Sequence, residues 1–234
     1  MNLNKLPTFF SNHISQSTII LDENDSRHAI KSLRLKSKDQ INIIDGRGTL
    51  YTTEIIDNNP KKTIVTILNK KSFKADIPLQ LAFCPTKNND KNELVVEKAV
   101  EIGVTKIFPV FSQNSERRKW NSQRMEKICI SALKQSGRYW LPEIHQSCSF
   151  TDFITSKHSE KNFIAHCKDA PKKALSNVVD SSKNQLILIG PEGDFTVEEI
   201  KLALKNNFCA VDLGNNRLRT ETACLVALAL MKNT

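Results

Sequence analysis

Glycine is scarce in this chain: seven residues out of 234, roughly 3% against the ~7% usual in globular proteins. A sequence this sparing places its glycines where the backbone needs them. Several motifs are missing as well. No GxGxxG or GxxxxGKS/T occurs, which argues against a dinucleotide fingerprint and a P-loop, and there is no GxSxG elbow. The six cysteines form no CxxC pair. His145 and Cys148 have HxxC spacing, but no second ligand pair stands nearby, so no metal site is expected. Scattered thiols of this kind read as reduced and buried, not as a disulfide framework. Long apolar runs are absent too. The longest, Thr222 to Met231, is about half of a membrane-spanning length, and the first residues carry no signal-peptide core. A soluble cytoplasmic protein without membrane association is therefore expected.

Acidic residues are outnumbered, 25 against 34 basic ones, for a net charge of +9. The excess is concentrated. Between Ser112 and Trp140 lie Arg117, Arg118, Lys119, Arg124, Lys127, Lys134 and Arg138 against Glu116 and Glu126 alone. Residues 1–72 hold eleven basic and seven acidic side chains. Two basic surfaces fit a nucleic-acid track; a solvated helix face plus an ordinary loop fits the charge equally well.

Residues 1–72 read as a small β-barrel. Ile41 to Ile44, the turn Asp45-Gly46-Arg47-Gly48 and Leu50 to Ile56 form a hairpin, and Thr63 to Leu68 a further strand. Ser26 to Leu35 reads as a short helix carrying His28, Lys31 and Arg34, and Asn69 to Asp76 as a connector. From 77 onward strands alternate with helices, which predicts an α/β domain with a mostly parallel sheet. Strands are expected at 79–83, 107–111, 163–166, 186–189 and 210–213. Helices are expected at 89–102, 122–136, 196–206 and 220–232.

Three of the seven glycines stand at the tips of two apolar strands. Leu186 to Ile189 runs into Gly190-Pro191-Glu192-Gly193, followed by a capping-box pattern at Thr196 and Glu199. Val211-Asp212-Leu213 runs into Gly214, then Arg217, Leu218, Arg219 and a helix opening at Thr220. Open α/β sheets bind ligands at the carboxyl ends of their strands. Two such turns without a phosphate cradle suit a ligand that lacks phosphate, and S-adenosylmethionine meets that description. Each turn taken alone also reads as a plain strand-to-helix connection. Tyr139 and Trp140 could stack a splayed base or pack in the core.

The Gly190-Pro191-Glu192-Gly193 turn, Leu213-Gly214 and Leu218-Arg219-Thr220-Glu221-Thr222-Ala223 together resemble the RsmE type of SPOUT methyltransferase. Further similarity lies in His28 to Leu35, in Lys98-Ala99-Val100-Glu101-Ile102-Gly103-Val104, in Gln135-Ser136-Gly137-Arg138 and in a strand-end histidine, His166. The resemblance implies a PUA-like RNA-binding barrel at 1–72 and a SPOUT methyltransferase domain with a C-terminal trefoil knot at 77–234. It implies an obligate homodimer and S-adenosylmethionine-dependent methylation of uridine N3 in 16S, small-subunit, ribosomal RNA, free or in the assembled subunit. A ribose 2′-O methyltransferase of the same fold and a non-catalytic RNA-binding assembly factor are the alternatives.

On that basis the cofactor set is His166, Leu188, Ile189, Gly190, Glu192, Gly193, Leu213, Gly214, Arg217, Leu218 and Thr220. The catalytic set is Arg219, Glu221 and Arg138, with Glu221 either the base or a bidentate partner of Arg219. The RNA-binding set is His28, Arg34, Arg117, Arg118, Lys119 and Arg124. Two departures from the family pattern stand out: Asp194 replaces a common second glycine, and the arginine after the second strand is displaced to Arg217.

Overall fold

A computed structural model describes residues 6–116, 118–156 and 158–232. The chain divides into two compact units. The first takes residues through Ala75 together with Ile130–Leu141, and the second takes Asp76–Cys129 and the chain from Pro142 onward.

The first unit is built on five strands: β1 (Thr8–Phe10), β2 (Thr18–Ile20), β3 (Gln40–Ile44), β4 (Thr49–Asp57) and β5 (Ile64–Ser72). Their order is β1-β3-β4-β5-β2, antiparallel except for the β1–β3 pair. Gly46 and Gly48 adopt φ of +69° and +89° in the β3–β4 turn, as the sequence requires of them. Phe9, Ile19, Ile41, Ile43, Ile55 and Val65 bury their side chains together as the core. The three-residue strands β1 and β2 are too short to leave a period-two signature and were not anticipated. β5 runs to Ser72, so the expected connector at 69–76 is strand for its first half. The expected helix at 26–35 begins earlier, as α1 (Glu23–Arg27), because the Asp22 carboxylate caps the Asp25 N–H. It then widens into a π-turn at His28–Ser32, and Arg34 lies beyond it at φ +57°.

In the second unit β6 (Leu79–Phe83), β7 (Lys106–Phe111), β8 (Glu143–Ile144), β9 (Cys148–Ser149), β10 (Lys161–Ala165), β11 (Lys173–Ala174), β12 (Gln185–Ile189) and β13 (Phe208–Asp212) form a wholly parallel sheet. The order is β11-β13-β10-β12-β6-β7-β8, with β9 also on β7. The helices are α2 (Asn89–Ile102), α3 (Ser122–Ser136, whose last turns belong to the first unit), α4 (Phe150–Thr155), α5 (Val197–Lys205) and α6 (Thr220–Lys232). α2, α3 and α6 match the predicted spans. α2 opens under the Asn88 side chain and closes at Gly103 with φ +104°. Thr196 and Glu199 form the expected capping box of α5.

The central strands β6 and β12 are buried at every residue, as strands covered on both faces must be. Leu186 and Leu188 pack with Phe150, Phe153, Phe195 and Ile200 on one face, toward α4 and α5. α6 packs on β12, β6 and α2. Among the described residues no helix is long and apolar enough to cross a membrane.

Candidate cofactor site and RNA-facing residues

β12 ends at Gly190, where an added Cβ would lie 3.0 Å from the buried Phe195 ring. Any side chain at this position would have to push that ring aside by a few tenths of an ångström. The Asp194 N–H closes the turn on the Pro191 carbonyl at 2.9 Å. Asp194 itself takes φ +60°, the left-handed region where glycine is at home. Its carboxylate accepts from its neighbour Phe195 N–H at 2.8 Å and from Cys167 N–H at 2.9 Å. The departure from a glycine thus ties the β12 turn to the end of β10. Asn114 holds the outer side, donating to the carbonyls of Gly193 and Asp194.

β13 ends at Asp212, whose carboxylate accepts the Gly214 N–H at 3.2 Å; Gly214 has φ +120°. Two bonds fasten this second turn to the first. The Thr220 hydroxyl donates to the Gly190 carbonyl at 3.1 Å, and the Arg217 guanidinium donates to the Glu192 carbonyl at 3.2 Å. The displaced arginine therefore clamps turn to turn.

Between the turns lies a cavity of about 650 Å³. From the expected cofactor set, His166, Ile189, Gly190 and Glu192 line it from one side, and Leu213, Gly214, Arg217, Leu218 and Thr220 from the other. Arg219 and Glu221 line it as well. His166 is 6% exposed, and neither ring nitrogen has a hydrogen-bond partner. Burial first, and then the Lys172 ammonium, hold its pKa below the ordinary imidazole value.

Glu221 accepts an ion pair from Lys91 at 2.9 Å, and its other oxygen is buried without a partner. Burial alone would push this carboxyl up. The Lys91 hydrogen bond, the backbone N–H at the helix start and the charges of Lys91 and Arg219 outweigh it, so the group ionises below the usual range.

Several expected residues fall elsewhere. Leu188 points into the core on the α5 face, because alternate residues of β12 face opposite ways and its neighbour Ile189 takes the cavity side. Gly193 does not line the cavity; an added Cβ there would meet Asn114 at 3.1 Å. Arg138 does not line it either and belongs to the segment grouped with the first unit. Glu221 is not a bidentate partner of Arg219, since Lys91 holds it. Arg124 forks onto Glu93 at 2.5 and 3.0 Å, so its charge is already matched. His28, Arg34, Arg118 and Lys119 are exposed. Arg117 lies outside the described residues. Lys91 was missed: it sits in the first turn of α2 among other charges, with no local signal of its target. Among the described residues no group of His, Cys, Asp and Glu could hold a metal ion.

The family model described as RNA methyltransferase domain matches residues 73–232, and the one described as RNA methyltransferase PUA domain matches residues 21–68. The chain is 31% identical over 234 residues to the ribosomal RNA small subunit methyltransferase E of Mesomycoplasma hyopneumoniae (strain 232), covering 94% of this chain and 96% of that protein. This chain belongs to the ribosomal RNA small subunit methyltransferase E family.

Solved structures agree. A probable rRNA-methyltransferase from Porphyromonas gingivalis superposes with a TM-score of 0.91 at 33% identity, covering 97% of this chain and 98% of that one. The methyltransferase E of Neisseria gonorrhoeae, solved bound to S-adenosyl methionine, gives 0.86 at 30% identity, covering 97% and 96%. Membership in the methyltransferase E family makes the chain an RNA methyltransferase with a PUA-like unit and a parallel-sheet methyltransferase unit.

Proposed function

We propose that this chain transfers the methyl group of S-adenosylmethionine to N3 of a specific uridine in 16S, small-subunit, ribosomal RNA. The observation that carries the reading is the convergence of two glycine-tipped turns on one cavity of about 650 Å³. The wall fits the cofactor. His166, Glu192, Thr220 and Glu221 line the cavity beside apolar Ile189, Val211, Leu213 and Leu218, a mixed surface that suits an adenine, a ribose and a methionine tail. Ile189, Leu213 and Leu218 line it, and their backbone groups would serve the edge of an adenine. Bound there, the cofactor supplies an electrophilic methyl group on a sulfonium.

The protein's own side chains do the rest. Uridine N3 carries a proton between two carbonyls and is a weak nucleophile until that proton leaves. The loss puts negative charge on O2 and O4, which the Arg219 guanidinium at the cavity wall stabilises. Glu221, held ionised by Lys91 at the cavity wall, is the base for the departing proton. The clamped turns fix the approach, and positioning supplies much of the rate. His28, Arg34, Arg118 and Lys119 take RNA phosphates, which set register without reading sequence. Residues 1–72 serve as the RNA-binding unit and 77–234 as the methyltransferase domain.

A trefoil knot in this second domain is part of the proposal. It is supported by β13 crossing to the far side of β10 while α6 returns to pack on β12 and β6. A homodimer, as the resemblance implies, is the assembly proposed, and its mass by light scattering tests it. The activity is tested by incubating the chain with S-adenosylmethionine and 16S ribosomal RNA, free or in the small subunit, then digesting to nucleosides for mass spectrometry. N3-methyluridine is expected. A ribose-methylated product, or no methylated product on either substrate, overturns the reading.

A further inference from the structure

Trp140 is 43% exposed, yet both its ring and its backbone are tied to neighbouring residues. Its indole Nε1–H donates to the Phe73 carbonyl at 3.1 Å. Its ring packs against Gly48, where an added Cβ would stand 2.4 Å from the indole carbons. The backbone is pinned alongside. Gly48 N–H donates to the Tyr139 carbonyl, Leu141 N–H to the Gly46 carbonyl, and Arg47 forms a β-bridge with Trp140 itself. Beneath, Tyr139 stacks on Phe73 at 3.8 Å, and the Lys71 ammonium sits 5.0 Å from the Phe73 ring centre. Tyr139 is therefore spent on packing, while Trp140 keeps an open surface.

Cations flank this ring along the chain. Arg47, Lys71 and Lys74 are exposed, and among the described residues none has an acidic partner. The acids near these residues in sequence are engaged: the Asp45 carboxylate accepts from the backbone N–H groups of Arg47 and Thr49, Asp76 pairs with Lys232, and Glu143 pairs with Lys106. Trp140, Arg47, Lys71 and Lys74 all belong to the first unit.

We propose that Trp140 is a stacking platform for an unpaired base of the RNA substrate, with Arg47, Lys71 and Lys74 holding the flanking phosphates. The proposal rests on the ribosomal RNA reading and adds a contact point to it. A single-stranded segment is the occupant the charge selects: the cations take its phosphates and the indole takes a base face. Because the indole is already fixed, little rotamer freedom is lost on binding.

The test uses the full chain carrying Trp120→Phe, which leaves Trp140 as the sole tryptophan. A single-stranded oligouridylate of about 12 nucleotides, within the site sizes of stacking proteins, is titrated against it, with a duplex of the same length as control. Expected results are quenching of Trp140 emission by the single strand and about 10-fold weaker binding in Trp140→Ala. Trp140→Phe should restore most of the affinity, and duplex binding should change little. Thermal unfolding followed by circular dichroism on each variant reports whether the first unit remains folded. Single-strand binding at full strength in Trp140→Ala, or an equal loss for the duplex, overturns the platform. If the parent chain methylates ribosomal RNA while the platform test fails, the platform alone is wrong. If it neither binds cofactor nor methylates, the functional reading fails first.

Discussion

Lys91 Nζ stands 2.9 Å from Glu221 Oε1, joining the first turn of α2 to the first turn of α6 at the cavity wall. The pair is partly shielded, with the Glu221 side chain 12% exposed and that of Lys91 32%. Removing the ammonium leaves a carboxylate short of its main counter-charge, and its pKa rises. Lys91→Met should therefore shift the acid limb of the methylation pH profile upward and lower stability by about 1–2 kcal/mol, between the exposed and buried limits for ion pairs. Lys91→Arg should restore the profile. An unshifted profile in Lys91→Met would remove Lys91 from any role in the reaction.

Arg219 lines the cavity with its side chain exposed. Arg219→Ala should cut turnover by about 100-fold or more, the scale of losing one transition-state donor. Cofactor affinity measured by calorimetry should remain near that of the parent. Normal turnover would refute the assignment.

Thr220 is buried, and its hydroxyl holds the Gly190 carbonyl. Thr220→Val keeps the shape and deletes the bond, leaving that carbonyl unpaired. The expected cost is about 1–3 kcal/mol in urea unfolding, together with weaker cofactor binding as the two turns loosen.

Asp194 combines a left-handed backbone with two bonds to N–H groups. Asp194→Ala loses the bonds and keeps the backbone strain, whereas Asp194→Gly loses the bonds but relieves the strain. The alanine variant should be the less stable of the two by about 1 kcal/mol. Asp194→Asn should be milder than either. Thermal unfolding ranks them.

Three histidines share a direction of shift. His145 stacks on Phe108 at 4.1 Å, His158 on Phe153 at 4.0 Å, and His166 is buried at the cavity. Burial is the main cause in each case, and each folded-state pKa lies below the ordinary 6.5. The unfolded chain thus takes up protons first as the pH drops. Stability should be complete above about pH 6.5 and fall as pH declines from there toward the folded-state values. Thermal midpoints between pH 7.5 and 5.5 should show the loss, and His158→Gln should flatten it.

Much of this architecture is written locally. Asn88 and Gly103 bracket α2, Thr196 and Glu199 open α5, and the buried runs of β6 and β12 need no distant information to read as strands. The two glycine turns were legible because the chain spends so few glycines elsewhere. What escaped depends on side-chain direction or distant pairing. Leu188 and Ile189 are equally apolar in sequence, and strand alternation alone decides which meets the cavity. Lys91 and Arg124 look alike as surface charges, yet each is matched to a carboxylate far along the chain. The return of Ile130–Leu141 to the first unit has no marker in the sequence, because it is fastened by distant backbone bonds to Gly46 and Gly48 and by the stack of Tyr139 on Phe73.

Glu199 uses both of its oxygens. One caps α5 at Thr196, and the other takes the Gln113 N–H at 2.8 Å, while the next residue, Asn114, reaches the carbonyls of Gly193 and Asp194. The arginine-rich stretch after β7 thus leaves from a mooring shared with the Gly190 turn. Through Glu199 and Asn114 the Gly190 turn and the root of that stretch share one set of hydrogen bonds, so neither can move without breaking bonds held by the other.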